Sequence, residues 1–390
     1  MSAPRDIAVV TSTRAEYGIL RPVLKALDRA EDFTPRLMVC GAHLSEKFGH
    51  TIDRIRADGM AIAAEIDTLA EGDDAIAAAE TNGRTVAGFA AGFAKNTPDM
   101  VLLTGDRPEM LAVATAAQLS GVPIAHLHGG ELTFGAIDDA IRHALTKMSH
   151  IHFAATRDYA DRILQMGEDP ARVFVTGAPG LDNIAEIDVP DEAALSAALG
   201  LPLSPKPLLC TFHPLTIGTE NTLGHISAML GAIDASGLPA IFTYPGADPQ
   251  SGMIIEAIEA FVSMADDRAI AANLGTEAYF GLMKHAAAMV GNSSSGIIEA
   301  ASFALPVVNI GDRQAGRTRV ANVIDAPGEE NAVRAAIEKA VSEAFRDGLS
   351  GLANPYGDGK AAKRIVAALR DAPPREALLM KKFRDLPRAG

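Results

Sequence analysis

The chain has 390 residues, 48% of them hydrophobic and 22% charged, a balance that fits two ordinary domains with well-buried cores. Its net charge of -14 argues against a general binder of nucleic acid or anionic membrane, so any local basic cluster runs against the overall sign. Cys40 and Cys210 are the only cysteines and form no CxxC pair, which argues against a disulfide framework or a zinc site and fits a reducing cytoplasm.

The opening MSAPRDIAVVTS has too short an apolar run for a signal peptide. No run approaches the roughly 18 apolar residues of a membrane span. From residue 6 onward, short apolar runs alternate with helical patterns. In the first half the strand-like runs are DIAVVT, PRLMVC, DMVLLT, VPIAHLH, HIHFAAT and RVFVTG. Between them, Leu20, Val23, Leu24 and Leu27 follow helical spacing, as do Val86, Phe89, Ala90 and Phe93. This is the βαβ pattern of a doubly wound parallel sheet.

The proline-rich stretch around 180–206 reads as a linker region with one short helical pattern. The alternation then restarts with PLLCTFHP, PAIFTYPG, RAIAANL, AAMVGNSS, LPVVNIGD and NVIDA. The expected organisation is therefore two similar α/β domains, 1–182 and 205–360. A C-terminal segment, 361–390, opens with a helix carrying Ala361, Ile365 and Ala368 or Leu369 on one face, suited to packing back on the first domain.

Parallel sheets bind ligands outside the carboxyl ends of their strands, so the residues just after each run are the ones to read. GNSSSG, with Ser293, Ser294, Ser295 and Gly296, lies between a strand-like run and an apolar helix-like run. It suits an anion held at a helix N-terminus by backbone N–H groups and serine hydroxyls, or an ordinary serine cap. Glu299, expected in the second turn, is close enough to accept from a ligand hydroxyl, or is a surface glutamate. GDRQAGRTR concentrates Arg313, Arg317 and Arg319 after another strand, which suits phosphate or a salt-bridged loop. Arg14, with Ser12 and Thr13, offers a second anion contact or a capped helix start.

TGDRPE and HGGELTFGAIDDAIRHALTK bring carboxylates to neighbouring strand ends: Asp106, Glu131, Asp138 and Asp139, with Arg107 beside them. Asp138 and Arg142, and Asp139 and His143, are i,i+4 pairs, while Asp139 and Arg142 are an i,i+3 pair. Carboxylates crowded at one rim raise one another's pKa and suit general acid–base work. The bland alternative for each is a cap or a surface ion pair. Asp106, His128, Glu131 and His143 also admit a metal cluster, without the tight spacing that would support one. His213 in CTFHPLT follows a strand and faces either a ligand or the core.

Taken together, TSTRAEYGILRPVL, LTGDRPEM, HLHGGELTFGAIDDAIRHALTKMSHIH, TFHPLT, GNSSSGIIEA, NIGDRQAGRTRVANVIDAP and NPYGDGKAAKRI resemble, in order, the hydrolysing UDP-N-acetylglucosamine 2-epimerases of sialic acid biosynthesis. The resemblance runs from about residue 6 to 370. Each motif is weak alone and the set is specific. Pro108 stands where an aromatic is usual after GDR, and GAH where many members have GMH.

The resemblance implies a GT-B fold, two Rossmann-like doubly wound domains with the sugar in a cleft between them. It implies no metal, no tightly bound cofactor and a homo-oligomer, dimer or tetramer. It assigns UDP to His213, Ser293, Ser294, Glu299 and Arg313, joined by Arg14. It assigns acid–base chemistry to Asp106, Glu131 and Asp138 or Asp139, with His213 functionally critical. The implied reaction releases N-acetylmannosamine and UDP through a glycal. UDP-2,4-diacetamido-bacillosamine is the alternative substrate. A non-hydrolysing epimerase, a GT-B glycosyltransferase and a non-catalytic nucleotide-sugar sensor are the rival readings.

Overall fold

A computed structural model describes residues 3–72, 74–134, 137–214, 221–245, 250–271 and 274–385. Gly135 and Ala136 of the HGGE-to-helix motif, Leu215 and Thr216 of TFHPLT, Gly246 of PAIFTYPG, Ala272 and Asn273 of RAIAANL, and 386–390 of the C-terminal segment lie outside these residues. The chain divides into two compact units. One comprises 1–131, 138–185 and 356–390, and the other 132–137 and 186–355.

The first unit is built on seven strands: β1 (Arg5–Thr11), β2 (Phe33–Cys40), β3 (Ile62–Ile66), β4 (Met100–Thr104), β5 (Ile124–Leu127), β6 (Ile151–Ala154) and β7 (Val173–Val175). Their order is β3-β2-β1-β4-β5-β6-β7, and every pairing is parallel. Successive side chains of β1 show why the strand reads as a continuous apolar run. Ile7 and Val9 join one core cluster and Ala8 and Val10 the cluster on the opposite face. Strand β3 escapes the sequence reading. It is an edge strand whose Ala63 and Glu65 are exposed and whose Ile62, Ala64 and Ile66 are half-buried, with Glu65 interrupting its apolar residues.

The second unit repeats the plan with six strands: β8 (Leu208–Thr211), β9 (Ala240–Thr243), β10 (Arg268–Ile270), β11 (Ala288–Gly291), β12 (Val307–Ile310) and β13 (Val323–Ala326). Their order is β10-β9-β8-β11-β12-β13, again parallel throughout. The stretch expected as a linker carries helix Glu192–Leu199, capped by Asp191, and a Cβ on Gly281 would meet its Leu195 at 2.8 Å. Helix Ala361–Arg370 places Ala361, Ile365, Ala368 and Leu369 in the core of the first unit. The Asp182 carboxylate accepts from the Ala361 and Ala362 N–H groups at 2.9 and 2.7 Å and so caps its start. No helix among the described residues is long and apolar enough to cross a membrane.

Each sheet has one place where the strand order reverses: between β1 and β4 in the first unit, and between β8 and β11 in the second. There the two flanking connections leave toward opposite faces and open a crevice at the strand ends. Ser12 to Arg14, Gly105 to Arg107, His213, and Asn292 to Ser295 all lie at these two points.

Burial brings the imidazoles of His43, His126 and His150, all in the first unit, down to about 4. Burial pushes the Glu16 carboxyl up to about 7, with the Arg107 charge opposing it. Below about pH 6.5 the unfolded rings bind protons that the folded rings exclude, so their contribution to stability falls with pH; Glu16 acts in the opposite sense between its unfolded value and about 7. Moving from pH 7 to 5.5 is expected to lower the stability of this unit by roughly 2 kcal/mol, read by urea denaturation with hydrogen exchange at the β1 and β5 amides. Constant or rising stability would contradict three buried neutral imidazoles.

Candidate active site

At the end of β1 the hydrogen bonds of Ser12 and Thr13 match the capped-helix reading. Glu16 Oε2 accepts from the Ser12 N–H at 2.7 Å, the Ser12 hydroxyl at 2.8 Å and the Thr13 N–H at 3.1 Å. The Thr13 hydroxyl in turn accepts from the Glu16 N–H, which completes a capping box for helix Arg14–Asp28. These donors serve the helix start and not a ligand anion. Arg14, the first helical residue, has its side chain exposed.

At the end of β4, Gly105 turns the chain with φ of +73°, and Asp106 and Arg107 follow before helix Pro108–Leu119. Arg107 Nε lies 3.3 Å from Glu109. Asp106 is paired with Arg142, which is 1% exposed and reaches it from helix Ile137–Met148. The same guanidinium lies 3.5 Å from Asp139 and donates to the Glu131 carbonyl at 3.0 Å. This corrects the expectation of carboxylates that simply crowd one another. A buried guanidinium stands among them, because gathering like charges out of water without a counter-charge is prohibitive. Asp138 and Asp139 are half-buried in the first turn of that helix, and Asp139 also lies 3.6 Å from His143. Burial holds the His143 imidazole below its ordinary value, with Asp139 acting to raise it.

Glu131 is 2% exposed and its Oε1 lies 2.7 Å from His128 Nδ1. No group of three or more His, Cys, Asp or Glu side chains among the described residues is arranged to hold an ion.

In the second unit the ends of β8 and β11 are stapled by one side chain. Asn292 Oδ1 accepts from the His213 N–H at 2.7 Å, and its Nδ2 donates to the His213 carbonyl at 2.8 Å. Gly291 precedes it with φ of +140°, and a Cβ there would meet the Thr211 carbonyl oxygen at 1.9 Å, so only glycine brings the two strand ends this close. Arg313 Nη1 and Gln314 Nε2 donate to the Asn292 carbonyl at 3.2 and 2.9 Å, which brings the loop after β12 to the same point. His213, Arg313 and the serine loop, separated by up to 100 residues, therefore meet around Asn292. Burial, aided by the Arg313 charge, lowers the His213 imidazole to about 3. The ring is therefore neutral at physiological pH.

The helix expected from Gly296 onward is a single α turn, Ser295–Ile298, continuing as the 3-10 turn Ala300–Phe303. Ala304 in the left-handed region and Pro306 two residues later stop it. Glu299 is the residue joining the two turns and is half-buried. One turn carries little macrodipole, so the anion-holding capacity of this loop rests on its hydroxyls and amides. Ser293 Oγ accepts from the Ser295 N–H at 3.3 Å. Ser293 and Ser294 are half-buried. Gly296 serves packing, since a Cβ there would press on Val307 at 2.9 Å. Arg319 is drawn to Asp325 at 3.2 Å, the salt-bridged alternative.

Four residues of this rim escape the sequence reading: Asn292, Thr211, Gln314 and Tyr279. Burial pushes the Tyr279 phenol up to about 12, while hydrogen bonds with the Ser295, Thr211 and Ser293 hydroxyls oppose the rise. Asn292 lies inside GNSSSG, where its amide, able to pair both backbone groups of a neighbouring strand end, was the available signal. Tyr279 sits on helix Gly275–His285 with no local mark of its position.

The profile of the family described as UDP-N-acetylglucosamine 2-epimerase matches residues 25–370. This chain belongs to that family. A Campylobacter jejuni protein named GDP/UDP-N,N'-diacetylbacillosamine 2-epimerase (hydrolyzing) is 38% identical over 98% of this chain and 99% of its own. A Legionella pneumophila protein named UDP-N,N'-diacetylbacillosamine 2-epimerase (hydrolyzing) is 36% identical over 97% of this chain and 98% of its own. The crystal structure of a Listeria monocytogenes protein described as a putative UDP-N-acetylglucosamine 2-epimerase superposes with a TM-score of 0.82 at 20% identity, covering 95% of this chain and 96% of that one. The family fold is GT-B, a pair of Rossmann-like units, as the sequence resemblance implied.

Asn292→Ala removes both hydrogen bonds to the backbone of the half-buried His213. We expect it to destabilise the second unit by roughly 2–4 kcal/mol, measured by urea denaturation. A change below about 0.5 kcal/mol would show that the staple is not what joins β8 to β11.

Proposed function

We propose that this member of the 2-epimerase family is a hydrolysing enzyme: it converts a UDP-linked 2-acetamido sugar to the free C2-epimeric sugar and UDP. Of the two sugars the sequence left open, UDP-2,4-diacetamido-bacillosamine is favoured over UDP-N-acetylglucosamine. The support is the pair of relatives at 38% and 36% identity, both named for the diacetamido sugar. The product would then feed legionaminic acid, with N-acetylmannosamine for sialic acid as the second reading. Two buried free cysteines suit a reducing cytoplasm. A homo-oligomer, dimer or tetramer, completes the proposal.

The chemistry explains the two kinds of rim. The C2 proton of a 2-acetamido sugar has no adjacent carbonyl to acidify it. As the anomeric bond to UDP breaks, positive charge develops at C1 and the proton becomes removable. The C2–H pair then forms the C1=C2 bond of a glycal, and the C1–O pair leaves on the diphosphate. Water adds to C1 while a proton enters C2 from the other face. Departing diphosphate calls for fixed donors and cations. We assign these to His213, Ser293, Ser294, Ser295, Arg313 and Arg14, with Glu299 on the ribose hydroxyls and Arg107 as a further polar contact. Proton removal and return call for at least two carboxylates in different states. We assign these to Asp106, Glu131 and one of Asp138 and Asp139. The observation that most supports this division is the position of Asp106 at the strand-order reversal of the first sheet and of His213 and Ser293 to Ser295 at that of the second.

Turnover in deuterated water is expected to place deuterium at C2 of a free reducing sugar, with the diacetamido substrate used in preference. Release of a sugar without deuterium would exclude elimination, and interconversion of UDP-sugars without release would favour the non-hydrolysing reading. Asp106→Asn is expected to lower kcat by about two orders of magnitude or more while UDP affinity is largely kept. Arg313→Ala is expected instead to weaken UDP binding about 10- to 100-fold, the range of a lost charge-assisted contact. Calorimetric titration with UDP separates the two. Equal loss of UDP binding in both variants would contradict the division.

A further inference from the structure

His128 has no task in the reading above, yet its geometry is specific. It is a non-glycine residue in the left-handed region, with φ of +62°, a conformation that survives only where surroundings enforce it. The next residues enforce it. Gly130 has φ of +78°, and a Cβ on it would meet the Tyr159 carbonyl oxygen at 2.2 Å. Arg162 donates to the Gly130 carbonyl and Arg142 to the Glu131 carbonyl. The loop is thus clamped from two helices, and the clamp aims the ring at Glu131, with Nδ1 2.7 Å from Oε1.

The ring is 8% exposed, and its Nε2 is out of solvent with no hydrogen-bond partner among the described residues. A proton on Nε2 would bury an N–H donor with nothing to accept it, whereas a proton on Nδ1 is donated to the carboxylate and leaves Nε2 a bare lone pair. We infer that His128 is a positioning residue for the proposed epimerisation: its Nδ1–H fixes Glu131 as the ionised carboxylate that accepts the C2 proton. This rests on the functional reading above and adds which carboxylate is the base. In the step itself the C2–H bond breaks toward Glu131, its pair forms the C1=C2 bond, and the C1–O pair leaves with UDP. Asp106 and Asp139 share the Arg142 guanidinium, and the ring that approaches Asp139, His143, stands at 3.6 Å where His128 reaches Glu131 at 2.7 Å.

Other charged and titratable groups surround the pair. Arg142 and Asp139 approach from helix Ile137–Met148, and Asp106 from the end of β4. Arg162 comes from helix Arg157–Gln165. His126 of β5 lies beneath Gly129, where a Cβ would meet its Nδ1 at 3.2 Å, and it hydrogen-bonds the Gly105 carbonyl. Arg142 meets Glu131 at its backbone carbonyl, whereas His128 Nδ1 meets the carboxylate oxygen Oε1 itself.

Two variants separate the ring from the backbone. His128→Gly keeps the left-handed turn and removes the donor; His128→Asn tolerates that turn and restores an N–H near the place of Nδ1. His128→Gly is expected to lower kcat about 10- to 100-fold, the equivalent of one lost charge-assisted hydrogen bond. KM and UDP affinity should stay within about twofold, and the acid limb of kcat should move up by about one pH unit, since a carboxylate without its donor protonates more readily. His128→Asn should recover most of that loss. An unshifted acid limb in His128→Gly, or His128→Asn no better than His128→Gly, overturns the inference. Should wild-type protein release no sugar from either UDP-sugar, the functional reading fails, and nitrogen-15 NMR of the wild-type ring still tests the pairing. Nδ1 protonated and Nε2 bare supports it; a proton on Nε2 overturns it, whether or not any variant folds.

Discussion

Parallel strands impose the constraint on which the rest of this molecule depends: within a sheet every strand ends at the same edge. Whatever side chains follow the strands are therefore gathered there, however far apart they lie in sequence. Where the strand order reverses, the two connections leave toward opposite faces and the edge opens. Both units use the same order around their first strand, so both present such an opening. The first unit has carboxylates at and beside its own, and the second has hydroxyls and an imidazole there, with the Arg313 guanidinium brought in from the loop after β12.

Filling a buried edge with polar groups creates a debt of desolvation, met differently in the two units. In the first, negative groups dominate, and a single guanidinium, Arg142, reaches Asp106, Asp139 and the Glu131 carbonyl at once. Its fork of fixed donors suits that task where a lysine would not. In the second, the groups are mostly neutral, and the amide of Asn292 pairs both backbone groups of His213 while its own carbonyl collects Arg313 and Gln314. Each unit thus has one inward-facing hub and a rim of side chains held by it. Glu16 plays a similar part at the start of the first helix, taking three donors with one oxygen.

The fold was largely legible in the chain. Among the described residues, twelve of the thirteen strands announce themselves as apolar runs; the central ones are buried on both faces and must be apolar throughout. β3 was not legible: Glu65 interrupts its five residues and none of them is fully buried. The serine-loop helix was over-read: GIIEAASFA has helical composition, but Ala304 and Pro306 turn the chain after two short turns. The site was legible as a set of strand-end residues, and the order of its motifs carried the family resemblance. Its hubs were not. Arg142 reads as a helix-surface ion-pair partner at i,i+3 from Asp139, and only its burial and its reach to Asp106 on another element reveal what it does.

Local sequence by itself determined the alternation of strand and helix, the pairing of two like units and the chemical character of each rim, because periodicity, burial on both faces and residue type are properties of short segments. Tertiary structure alone decided which of these residues meet. Long-range contacts put Arg142 beside Asp106, brought Tyr279 to the serine hydroxyls and set Arg313 and Gln314 on the Asn292 carbonyl. Those outcomes depend on which strand ends lie side by side and on how much water they exclude, and neither is written in any window of the chain.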